Sequence, residues 1–202
     1  MKEEIRIGRN SLEQFVAGVF SNLGLSSEEA ADSAEILVAA DARGIPSHGV
    51  ARLWRYENGI RKGIMASSVI PTILRETPIS LVLDANGAMG MYLSKQTMTK
   101  VIEKAKGSGA AFASIRNSNH YGIAGYYAEM AAKHDMIGIC MTNTAALGVP
   151  TFGRMPMFGT NPIAFSIPGH SGKLFTLDMS TTAVTRGKIE VYEREQQELP
   201  KG

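Results

Sequence analysis

ISLVLDANGAMGMYLSKQTMTKVIEKAKGSGAAFASI, residues 79–115, decides the reading of the fold. ISLVLDA (79–85) is a short apolar run of strand composition, and GAAFASI (109–115) is a second. The residues from about Met91 to Lys106 read as a helix between them. The alternation continues outward. A helix is expected from about Ile123 to His134, and IGICMTN (137–143) follows as a strand. NPIAFSIP (161–168) and LFTLDMS (174–180) read as two more strands, and TTAVTRGKIEVYEREQQ reads as a closing helix. Strands alternating with helices predict an α/β body with a mixed sheet. GSGAAF (107–112) is the nearest approach to a GxGxxG fingerprint. It precedes a strand instead of following one and lacks the third glycine, so the body is expected to be non-Rossmann.

Upstream, three helices are expected in succession. Ser11 to Gln14 fits a capping box, with Leu12, Phe15, Val16, Val19, Phe20 and Leu23 at helical spacing and Gly24 as a stop. Ser26 to Glu29 fits a second capping box, opening an Ala-rich helix that runs to about Arg43 and ends at Gly44. A third is expected after Pro46, with Ser47 as its N-cap, running to about Lys62. The organisation expected is therefore an N-terminal helical segment, 1–75, followed by an α/β body, 76–202. The terminal Leu199-Pro200-Lys201-Gly202 has no closing element and reads as a connection into further structure.

The 202 residues are 44% hydrophobic and 20% charged, which is ordinary globular composition. A net charge of +2 argues against a nucleic-acid partner. Cys140 is the single cysteine, so no internal disulfide can form; it lies in an apolar run and reads as core filler. The N-terminus has no signal-peptide pattern and no apolar run spans a bilayer, which points to a cytoplasmic protein.

Four histidines occur without metal-ligand spacing, so no metal site is expected. His134 and His170 read as surface residues. His48, Arg52 and Tyr56 are each four residues apart and share one helical face, opposite Val50, Leu53, Trp54 and Ile60. Such a face suits a carboxylate ligand, or is simply solvated. His120 follows a strand in a polar loop, where ligands bind α/β sheets; it is a candidate acid or base, or a helix cap. GTNP (159–162) and DMSTT (178–182) join strands to small polar residues, suiting cofactor phosphates and ribose, or merely turns. Asp41, Ser47 and His48 could suggest a serine hydrolase, but no GxSxG elbow occurs, and adjacent Ser and His side chains on one helix are expected to diverge.

Together, ADARGIPSHGVARL (40–53), NSNHYGIAGYYA (117–128), IGICMTNT (137–144), FGTNPIAFSIP (158–168) and TLDMSTTAVTRGK (176–188) resemble the malate/L-lactate dehydrogenase family in motif, order and spacing. The resemblance covers essentially the whole chain. It implies hydride transfer between NAD or NADP and a 2-hydroxy or 2-keto acid such as malate or L-lactate, in a non-Rossmann homodimer. It further implies that His120 is the acid/base and that His48 lies at the nicotinamide and substrate. Arg52 then pairs with the substrate carboxylate, with Tyr56 and Asn161 nearby. Ser47, His48, Thr144, Asp178, Met179 and Ser180 fall at cofactor-contacting positions. Family members extend beyond the length of this chain, so the resemblance also raises an inactive N-terminal part, or a subunit needing a complementary chain, as the alternative.

Overall fold

The computed structural model describes residues 6–199. It divides into two compact units, 1–122 and 123–202.

The first unit opens with helices α1 (Arg9–Asn22) and α2 (Ser27–Ala42). Gly8 stands at the N-cap of α1, so Ser11 falls inside the first turn and the capping box expected there does not form. The second box does: Ser26 Oγ accepts from Glu29 N, and the Glu29 carboxylate accepts from Ser26 N at 2.9 Å. Val16 and Phe20 of α1 are fully buried, whereas Phe15 is exposed. The expected apolar stripe is thus narrower than its spacing suggested. The third helix is not continuous. Pro46–His48 and Val50–Arg52 are separate 3-10 turns, Gly49 between them is extended (φ −89°, ψ −158°), and α3 runs Leu53–Arg61.

Strands β1 (Thr72–Thr77), β2 (Ser80–Asp84) and β3 (Phe112–Arg116) form the first sheet, with α4 (Gly90–Ser108) linking β2 to β3. β1 pairs antiparallel with β2, and β2 pairs parallel with β3, so this sheet is mixed. Sequence patterning missed β1 because its TILRET lies almost wholly exposed, with no buried alternate residues to mark a period. Leu81, Leu83, Ala85, Ala88 and Leu93 form a buried cluster, with Val69 and Ile115 against it. α4 is tied to α2 by the Lys95 ammonium, 2.6 Å from Asp32 and 2.7 Å from Glu35. The GSGAAF run closes α4: Gly109 is its left-handed C-cap, the wrong end of a helix for binding phosphate.

The second unit has α5 (Ala124–Ala132), β4 (Gly138–Met141), β5 (Ile163–Pro168), β6 (Leu174–Met179) and α6 (Arg186–Glu195). Its strands form a separate antiparallel sheet with β5 central. The closing helix is shorter than expected, starting at the Thr185 cap. One face of this sheet packs under α5, whose Ala124, Tyr127, Ala128, Ala131 and Ala132 are buried. Gly138 permits that approach: a Cβ there would sit 2.0 Å from the Ala128 carbonyl oxygen. The register places Ile139 and Met141, then Ile163, Phe165 and Ile167, then Phe175, Leu177 and Met179 side by side on the opposite face. Six of these eight are exposed, Phe175 at 64%.

Gly138→Ala should therefore cost about 3 kcal/mol or more, because backbone atoms of α5 cannot yield as a flexible side chain would. Urea unfolding of the variant checks this, and an unchanged midpoint would refute the close approach.

Candidate active site

The 117–122 loop that carries His120 is held by amide side chains. The Asp84 carboxylate at the end of β2 accepts from Asn86 N, from Arg116 Nε and, through both its oxygens, from Asn117 Nδ2. The Asn86 backbone bond, then the Asn117 side chain and Arg116, hold this carboxyl below the usual carboxylate range, against the opposing effect of desolvation. Asn119 Nδ2 donates to the Gly87 and Ala88 carbonyls at 2.7 and 3.2 Å. Gly122 closes the loop with φ +83°, and a Cβ there would meet Ile36 Cγ2 at 2.7 Å. Both features exclude a side chain.

A second loop brings His48 to this place. The Asp41 carboxylate of α2 accepts from Val50 N at 2.8 Å. A Cβ on Gly49 would fall 1.8 Å from Asp41 Oδ1, so the residue after His48 must be glycine for the carboxylate to hold the loop. Ser47 Oγ lies 3.0 Å from His48 Nδ1. Adjacent side chains meet here because the backbone is a tight 3-10 turn, which corrects both the expected divergence and the N-cap role of Ser47. Arg52 Nε donates to the Ser47 carbonyl.

The face bearing His48, Arg52 and Tyr56 is turned inward. Tyr56 is 1% exposed, and its ring meets Phe20 edge-on at 6.0 Å. Trp54, expected on the apolar side, is 59% exposed, with the Arg55 guanidinium 5.9 Å from its ring centre. Tyr56 Oη lies 2.6 Å from His120 Nδ1, and the His48 and His120 rings stack at 5.5 Å. Both histidines are half-buried. Burial first, then the Arg52 charge, lowers His48 to about 4. Burial, Arg52, His48 and Arg55 lower His120 to about 3. Burial raises the Tyr56 phenol against the pull of Arg52 and Arg55. Ser47, His48, Arg52, Tyr56 and His120 thus form one cluster, neutral at its rings and cationic at its arginines. Arg55 and the two glycines were not anticipated as site residues, and Asp41 was considered only within a serine-hydrolase reading. The glycine directly after His48 was the available signal.

The other candidates lie in the second unit. Asn161 Oδ1 accepts from Thr144 N at 3.0 Å, and Thr144 Oγ1 accepts from Thr160 N at 2.8 Å. Asp178 Oδ2 accepts from Gly125 N at 2.7 Å, in the first turn of α5, where a negative charge is favourable. Ser180 Oγ donates to the Thr182 carbonyl at 2.7 Å, and Met179 is exposed. Exposed Thr144 and Asn161 supply neutral polar groups of the kind that bind the hydroxyls and carboxamide of a dinucleotide. Cys140 is half-buried on β4, His170 lies in an exposed turn, and no group of three or more His, Cys, Asp or Glu among the described residues could hold a metal. No described helix is long and apolar enough to cross a membrane.

The neutral histidines give the cluster a pH signature. Both folded values lie below the ordinary 6.5, so above that pH neither ring distinguishes folded from unfolded chain. As pH falls below 6.5 the unfolded chain takes up protons first, and stability is lost progressively toward pH 3–4. The urea midpoint should fall between about pH 6.5 and 5, before ordinary carboxylates titrate. A midpoint constant over that window would show that the rings titrate normally.

The family description malate/L-lactate dehydrogenase matches residues 7–202. A malate dehydrogenase of Pyrococcus abyssi is 46% identical over 98% of this chain and 54% of its own length. An Escherichia coli ureidoglycolate dehydrogenase (NAD(+)) is 38% identical over 92% of this chain and 53% of its own. The crystal structure of malate dehydrogenase from Entamoeba histolytica superposes with a TM-score of 0.94 at 36% identity, over 98% of this chain and 55% of that one. The chain therefore spans about half the length of the relatives it matches. With the family match over residues 7–202, the identity to these relatives and the shared mixed α/β fold, the chain belongs to the malate/L-lactate dehydrogenase family.

Proposed function

We propose that this chain provides the acid/base and carboxylate-binding part of an NAD(P)-dependent dehydrogenase acting on a 2-hydroxy or 2-keto acid such as malate or L-lactate. The observation that carries the reading is His120, half-buried and neutral, in one cluster with Arg52. Nε2 of His120 has no hydrogen-bond partner among the described residues, so it is the ring atom open to a ligand. In reduction, His120, protonated to the imidazolium when the substrate anion is bound, passes its Nε2 proton to the carbonyl oxygen as the carbon receives hydride and is left neutral; in oxidation the neutral ring takes that proton back. The nicotinamide group, when bound, supplies or accepts that hydride. Arg52 takes the substrate carboxylate and orients the reacting carbon. Its bound anion also offsets the arginine's charge and favours protonation of His120. The His48 ring stacks beside His120.

For the cofactor, Ser47 and His48 in the first unit, and Thr144, Asp178, Met179 and Ser180 in the second, are assigned as contacts, with Asn161 as a substrate contact. Asp178 and Asn161 act in part by holding Gly125 and Thr144 in place. The reading includes a homodimer and a cytoplasmic location, as in the family pattern.

The test follows nicotinamide absorbance with NADH or NADPH and a panel of 2-keto acids, oxaloacetate and pyruvate first. His120→Ala should lower kcat about 100-fold or more. Arg52→Lys should raise KM about ten-fold by losing bidentate contact. Turnover insensitive to His120 would sink the assignment.

A second reading is favoured by the exposed apolar face of the β4–β5–β6 sheet. In it, this chain turns over nothing alone and works with a complementary chain that covers the face. Adding the remaining part of the Pyrococcus abyssi relative should then produce turnover and protect the β4–β6 amides from exchange. Full activity of the isolated chain, as a monodisperse protein, would exclude this reading.

A further inference from the structure

Two donors converge on one nitrogen of His120. Gly122 N lies 3.2 Å from Nδ1, and a backbone N–H can only donate. Nδ1 is therefore an acceptor, and the neutral ring must carry its proton on Nε2. The Tyr56 hydroxyl, 2.6 Å from the same Nδ1, is then the donor of that bond. Tyr56 is fixed in place: its ring is fully buried between Phe20 and His120, at 6.0 and 5.8 Å. Its phenol is held protonated by burial, so it remains a donor over the working pH range. The other charged and titratable groups acting on His120 are Arg52, Arg55 and His48, and the two arginines carry permanent charge and can only donate. The Gly122 N–H points back at the ring two residues earlier.

We propose that Tyr56, together with the Gly122 backbone N–H, is a positioning pair that locks His120 in its Nε2–H tautomer, so that the resting site presents a hydrogen-bond donor to the oxygen of a 2-keto acid. The tautomer follows from contacts within 1–122; its catalytic meaning rests on the proposed acid/base role of His120. The neutral Nε2–H form can donate a hydrogen bond to a carbonyl oxygen, whereas full proton transfer in either direction passes through a ring that carries a proton on Nδ1.

The test is nitrogen-15 NMR of the imidazole rings in the full 202-residue chain, with no substrate or cofactor needed. The expected wild-type spectrum shows His120 with an acceptor-type Nδ1 and a protonated Nε2. Tyr56→Phe keeps the ring and removes only the hydroxyl. It should lower the ratio of Nε2–H to Nδ1–H forms about five-fold, as expected for losing one neutral hydrogen bond. The His48 signals, whose Nδ1 contact is with Ser47, should stay in place. A protonated Nδ1 in the wild type overturns the proposal without recourse to any variant. So does an unchanged tautomer ratio in a Tyr56→Phe protein whose amide spectrum remains native. Absence of turnover would count against the dehydrogenase reading and leave this result intact.

Discussion

The Asp84 carboxylate is the fixed point of the cluster. Its oxygens sit at the end of a buried central strand and accept from Asn86, Arg116 and Asn117, which belong to both loops at that end of the sheet. A polar loop carrying a histidine has little apolar surface with which to hold itself still. Here side-chain amides and one carboxylate do the work that packing does elsewhere. Asn117 tolerates its left-handed conformation (φ 53°) because its short amide is anchored at the carboxylate. Asn119 repeats the device on the Gly87 and Ala88 carbonyls. With both ends of the 117–122 loop fixed, the ring of His120 can be aimed.

The same economy holds at His48. Asp41 reaches from α2 to the backbone of Val50, and the space it occupies would be filled by any side chain at 49. The SHG run is therefore a steric requirement as well as a chemical one. The two loops come from different elements, and their histidines stack only because each is tied to a rigid helix or strand. Burial, with the charge of Arg52 on both rings and of Arg55 on His120, keeps them neutral. A neutral imidazole can then serve as donor or acceptor.

The second unit shows a different balance. Its sheet is packed under α5 by small residues, with Gly138 admitting the helix backbone and Asp178 meeting the start of the helix. The opposite face presents the larger apolar side chains. In this sheet of three strands the small residues lie under the helix and the large apolar ones face away from it.

The sequence by itself determined the order of helices and strands from β2 onward, the Ser26–Glu29 capping box, the failure of the Rossmann fingerprint and the family, because each depends on local spacing or on motifs that survive as strings. Its reading of the cluster reached His48, Arg52, Tyr56 and His120, but as a helical face that could as well have been solvated. Tertiary structure decided that this face is buried, that the helix is broken at Gly49, and that Tyr56 meets a histidine 64 positions away. It also divided the expected single sheet into two and supplied the exposed strand β1. The physical reason is that helical period and capping are encoded within a few residues. Burial, a carboxylate filling the place of a missing Cβ and the tautomer of a ring are set by atoms that only folding brings together.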